Sequence, residues 1–101
     1  MSNPYRIRYL ATAQKDLFEI FDYILKDRPG AALDRLESID RSVGLLASNP
    51  LLGVVPNDER LRKLGYRVLI VDKHLVFYVI KGKMVQVRRV LHGARQYEFL
   101  L

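Results

Sequence analysis

The chain reads Tyr66-Arg67-Val68-Leu69-Ile70-Val71, then Asp72-Lys73, then His74-Leu75-Val76-Phe77-Tyr78-Val79-Ile80, then Lys81-Gly82-Lys83, then Met84 through Leu91. Short runs rich in β-branched and aromatic residues, separated by charged or glycine-containing breaks, carry the pattern of β-strands. Asp72-Lys73 suits a tight turn, and Gly82 can take the positive φ that such a turn needs. Connections this short make neighbouring strands antiparallel, so the segment reads as a three-stranded meander.

Upstream the period changes. Leu51 to Arg60 contains proline and glycine and reads as a loop. Before it, Leu33, Leu36, Ile39, Val43 and Leu46 recur every three or four residues, the spacing of a helix with one apolar face. That helix should stop at Ser48-Asn49-Pro50, because a proline pushes the residue before it out of the helical region. A first helix is carried by Leu17, Phe18, Phe21, Ile24 and Leu25 through Lys26, with Thr12 as its expected N-cap. Asp27-Arg28-Pro29-Gly30 separates the two, with Pro29 placed for the first turn of the second. So short a connector predicts an antiparallel helical hairpin. Tyr5-Arg6-Ile7-Arg8-Tyr9-Leu10 alternates polar and apolar and reads as a strand that adds to the sheet. Together these give an α+β fold of order β-α-α-β-β-β, with an N-terminal helical hairpin packed on an antiparallel sheet. One domain spanning residues 1–101 is expected.

Composition narrows the chemistry. There are no cysteines, which excludes disulfides, thiol catalysis and cysteine-bound zinc and suits a reducing cytoplasm. No apolar run approaches the ~20 residues of a membrane span, and the first residues lack the apolar stretch of a signal peptide. The net charge of +6 is unevenly placed. Residues 1–59 hold seven Lys/Arg against nine Asp/Glu, whereas residues 60–95 hold ten against the single acid Asp72. Ordinary surfaces intersperse the two signs, so a segment this basic points to a polyanionic or acidic partner.

Both histidines fall in the meander. His74 opens one strand and His92 ends the next, and each is equidistant from Lys83, so pairing through that turn makes them cross-strand neighbours. A histidine pair beside arginines can serve RNA cleavage: one imidazole takes a 2′-hydroxyl proton, another acid protonates the leaving oxygen, and guanidiniums hold the phosphate. For a lone surface histidine, a plain structural role is the stronger reading. Arg67 interrupts an apolar strand and should point to solvent or a ligand. Arg88 and Arg89 face opposite ways in a regular strand unless a bulge re-aims one, and one of them can pair with an acid from the helical half. Arg95 offers a planar fork for a phosphate or carboxylate. Tyr66 and Tyr97 can stack on bases, although half-buried packing is the default for Tyr66. No Walker loop, G-x-S-x-G, H-E-x-x-H or EF-hand motif is present, and neither a metal nor another cofactor is expected.

The order of elements and several short motifs resemble the RelE/ParE superfamily, the toxins of bacterial type II toxin–antitoxin systems. The similarity runs from the Tyr5–Leu10 strand and the hairpin through Asn49-Pro50-Leu51-Leu52-Gly53, which is similar to a "P-x-x-G" loop of the family. It continues through Gly65-Tyr66-Arg67 and Leu75-Val76-Phe77-Tyr78-Val79, and closes on Val87-Arg88-Arg89-Val90-Leu91-His92-Gly93-Ala94-Arg95, close to "R-V-L-H-G-x-R-D". The resemblance implies a cytoplasmic toxin neutralised by a cognate antitoxin. In one branch, RelE-, YoeB- and YafQ-like members cut mRNA in the ribosomal A site; in the other, ParE members inhibit DNA gyrase. The sequence reading puts the ribosome and mRNA first and gyrase as the alternative. His92 aligns with the C-terminal catalytic histidine of YoeB- and YafQ-like enzymes, and His74 falls where they carry Arg or Asp. On that reading His92, His74, Arg67, Arg89 and Arg95 form the catalytic set, while Arg62, Lys63, Arg88 and Tyr97 bind RNA. Two departures stand out: Gly93 replaces the tyrosine of YoeB-like enzymes, and Gln96 replaces a common Asp.

Overall fold

The computed structural model describes residues 4–93 and Leu101. In chain order the elements are β1 (Arg6–Tyr9), α1 (Ala11–Asp27), α2 (Pro29–Gly44), a 3-10 turn (Leu45–Ala47), α3 (Glu59–Lys63), β2 (Arg67–Val71), β3 (His74–Lys81) and β4 (Met84–His92). The meander forms as its spacing predicts, with β2 and β4 antiparallel to β3 and a strand order of β1-β4-β3-β2. β1 joins the same sheet but runs parallel to β4, with Ile7 opposite Val85. The expected antiparallel sheet therefore carries one parallel pair at its edge, which the intervening hairpin and meander make reachable.

The helical hairpin covers one face. Ala13 of α1, Ile39 and Val43 of α2 and Leu46 pack on Leu69, Val71, Val76, Tyr78, Val85, Val87 and Val90. Pro29 occupies the first turn of α2, as expected. Two readings of α1 are corrected. Thr12 is not the cap: the helix starts at Ala11, and the Thr12 hydroxyl donates to the Arg88 carbonyl at 2.8 Å. Phe18 and Leu25 lie on the outward side, 69% and 41% exposed, while Leu17, Phe21 and Ile24 are half-buried. Among the described residues, no helix is long and apolar enough to cross a membrane.

The opposite face has a smaller core that the loop reading of residues 51–60 missed. Leu61 of α3 is fully buried there with Tyr66, Val68, Phe77, Val79 and Leu91, and Leu101 packs against them. Asp58 nucleates this short helix by accepting the Leu61 N–H at 2.9 Å.

Tyr78, fully buried at the centre of β3, fixes the loop that leads to α3. Its hydroxyl donates to the Pro50 carbonyl at 2.7 Å and accepts the Gly53 N–H at 2.9 Å. Arg67 donates from Nε to the Gly53 carbonyl and from Nη2 to the Leu51 carbonyl, both at 3.0 Å. Val54 and Val68 exchange backbone hydrogen bonds of 2.8 Å. A Cβ at Gly53 would stand 2.7 Å from the Tyr78 hydroxyl and 2.9 Å from the Val68 carbonyl. Glycine is required there by close approach, which gives Pro50-Leu51-Leu52-Gly53 a structural reason to exist.

Candidate functional site

β3 and β4 bring the two histidines together. His74 lies directly opposite His92 in the register, with ring centroids 5.6 Å apart and planes at 81°. The route to this pairing differs from the simple count about Lys83. Lys81 pairs with Met84, so the turn is centred between Gly82 and Lys83, and unbroken pairing would set His74 against Leu91. A bulge near Phe77 and Tyr78 leaves Arg88 without a partner, shifts the register by one and restores the histidine pair.

The pair sits at one end of a groove of about 970 Å³ between the helical hairpin and the β2–β3 turn. Five carboxylates line it (Asp16, Glu19, Asp27, Asp34 and Asp72) against three cations (Arg28, Arg35 and Lys73). Arg35 is ion-paired with Asp72 in the turn. His92 is exposed, whereas His74 is only 8% exposed and its Nδ1 has no hydrogen-bond partner among the described residues. Burial first, then the positive charge of Arg35 and the neighbouring His92, lowers the His74 pKa against an opposing pull from Asp72. With Asp16 held by Arg89, the remaining lining sets four carboxylates against three cations and gathers no excess of positive charge for a phosphate.

Arg89, of the expected catalytic set, is occupied elsewhere. Its guanidinium grips Asp16 of α1 with two hydrogen bonds, Nε to Oδ2 at 2.7 Å and Nη2 to Oδ1 at 2.8 Å. Asp16 is 5% exposed and also accepts the Val90 N–H at 2.9 Å. The reason lies in the sheet. β1 ends at Tyr9, opposite Val87, and leaves the outer edge of β4 unpaired beyond it. The start of α1 takes over: the Leu10 N–H binds the Val87 carbonyl, Thr12 binds Arg88, and Asp16 binds Val90.

Comparison with known proteins now bears on identity. The sequence profile of the ParE toxin family, described as the ParE toxin of the type II toxin–antitoxin system parDE, matches residues 7–97. The chain belongs to this family. It is a type II toxin of the RelE/ParE superfamily, as its motifs suggested. Its structure is similar to one from the chromosomal ParDE system of P. aeruginosa at 23% identity and a TM-score of 0.76, covering 90% of this chain and 98% of that one. It also resembles one from the RelBE2 toxin–antitoxin complex of Mycobacterium tuberculosis at 26% identity and a TM-score of 0.57, covering 88% and 98%. No curated protein matches the chain.

The toxin's remaining candidates disperse. Arg67 is half-buried and donates to the carbonyls of Gly53 and Leu51 in the 51–53 loop. Arg88 lies 5.6 Å from the centroid of the buried Tyr66 ring and bonds Gln86, and Tyr66 packs edge-on against Phe77. Arg62 and Lys63 project from α3, with Lys63 3.2 Å from Glu59. Arg95 and Tyr97 lie outside the described residues. Among the described residues no cluster of three metal-ligating side chains occurs. The sequence reading did not single out Asp16 or Tyr78. Each carried a signal: a carboxylate in the apolar register of Ala13, Leu17 and Ile20, and a hydroxyl inside an apolar strand, must both find partners.

The lowered His74 pKa should make the toxin lose stability in acid. Free imidazole titrates near ~6.5. Below that value the unfolded chain takes up a proton that the folded chain resists, so stability is flat above it and falls as pH drops. The urea midpoint should decline as pH falls below about 6.5, and less so in His74→Gln. Identical declines in the two proteins would show that His74 is not the group responsible.

Proposed function

We propose that this toxin acts as a ParE-like antagonist of DNA gyrase, through protein–protein contact and without nuclease chemistry. The observation that carries this reading is the commitment of two of the three arginines of the expected catalytic set: Arg89 is bound to Asp16, and Arg67 to the loop carbonyls. The family match supports it, and the groove beside His74 and His92 holds no excess of positive charge to bind RNA. The toxin then works in the cytoplasm, where its target lies. A cognate antitoxin holds it in check. The outward apolar residues of the hairpin, Phe18, Tyr23, Leu25 and Leu33, suit a partly disordered segment that folds on binding.

Ribosome-dependent mRNA cleavage is the second reading, and the 5.6 Å histidine pair is what favours it. Two measurements separate them. Purified toxin should inhibit supercoiling by purified gyrase, and ribosome-bound mRNA from arrested cells should show no cut codons. Cut codons with unimpaired supercoiling would give the case to the nuclease.

A further inference from the structure

The 51–55 loop holds apolar side chains in water. Leu51, Leu52, Val54 and Val55 are 63%, 42%, 55% and 46% exposed, while Gly53 between them is buried. A mobile loop could fold such residues back, but this one is fastened by Tyr78, by Nε and Nη2 of Arg67 and by the Val54–Val68 bridge. Leu64 and Ile70, 52% and 62% exposed, add apolar surface at the end of α3 and on edge strand β2. Isolated exposed apolar residues are ordinary; a group of them on a fixed backbone marks an interaction surface. Its flank is cationic. Arg60, Arg62 and Lys63 of α3 are exposed, against the single acid Glu59 of that helix, to which Lys63 is paired, so the helix keeps a net positive charge.

We propose that this surface, centred on Leu51, Leu52, Val54 and Val55 and bordered by α3, is where the toxin docks on its protein target. The partner is a folded protein offering an apolar recess edged by carboxylates. The inference rests on the gyrase reading and names the surface that reading requires. A preformed, fastened surface loses little entropy on docking against a folded partner. The cationic border selects the partner's charge and speeds encounter.

Two variants test this: Leu51→Asp/Val55→Asp, which places charge in the apolar centre, and Arg62→Glu, which reverses the border. These side chains take no part in the fastening hydrogen bonds, so melting should be unchanged. Wild-type and variant toxins are compared for inhibition of supercoiling by purified gyrase and for co-purification with the antitoxin. The double variant should need at least about tenfold more protein for half-inhibition, with antitoxin capture intact, and Arg62→Glu should weaken inhibition in salt-dependent fashion. Equal inhibition by wild type and both variants overturns the surface while leaving the gyrase reading in place. Lost antitoxin capture with retained inhibition overturns it too, by giving the surface to the antitoxin. A wild-type toxin without effect on gyrase removes the gyrase reading and this surface with it.

Discussion

Asp16→Ala should destabilise the toxin by about 3–5 kcal/mol, the usual result of removing one partner from a buried, hydrogen-bonded ion pair. Asp16 accepts three hydrogen bonds, two from Arg89 and one from the Val90 backbone, at the edge where β1 gives out. Alanine takes both of these hydrogen bonds from the half-buried Arg89 guanidinium and leaves the buried Val90 N–H without its acceptor. Single domains are commonly stable by about 5–15 kcal/mol, so the variant should sit near the threshold of folding. Arg89→Ala should cost a similar amount, and the double variant less than the sum, because the two residues act as one unit. Urea denaturation measures all three. A loss below about 1 kcal/mol for Asp16→Ala would mean that the sheet edge is closed by something else.

The second large effect belongs to the Tyr78 clamp. Tyr78→Phe keeps the ring but strands the Gly53 N–H and frees the Pro50 carbonyl, at a cost of about 1–3 kcal/mol. Gly53→Ala should cost about as much through overpacking, since its Cβ meets both the Tyr78 ring edge and hydroxyl at 2.7 Å and a backbone carbonyl at 2.9 Å. Urea midpoints check both. The distinguishing result is local: amides of residues 51–55 should lose protection from hydrogen exchange in Tyr78→Phe before those of β3 do. A neutral Tyr78→Phe would show that the loop is held without the hydroxyl.

These two residues mark where reading the sequence stops. The meander was legible because a period of two and two short turns leave one topology, and the hairpin because its apolar spacing breaks at Pro29. The parallel pairing of β1 was not, since nothing in four strand residues specifies which edge they join. The short α3 was hidden by length: five residues show no period, and Leu61 alone reaches the core. The histidine pair was legible from its spacing, although a bulge supplies the register that a simple count assumed. That bulge also decided between Arg88 and Arg89, one stacked near Tyr66 and the other bound to Asp16, which no periodicity could resolve. Arginine in a basic segment looked like substrate-binding chemistry; the fold uses Arg67 and Arg89 to hold itself together.

Toxicity by docking, unlike toxicity by histidine acid–base chemistry, does not need His92. Growth arrest on induction of His92→Ala, set beside wild type at equal soluble expression, separates the two. His92 is exposed, so the fold should tolerate the change, which an unchanged melting midpoint would verify. Full arrest by the variant is expected. A nuclease that depends on His92 would lose about 10²–10⁴-fold in rate. Normal growth with folded, antitoxin-binding His92→Ala would contradict the account and return His92 to a catalytic role.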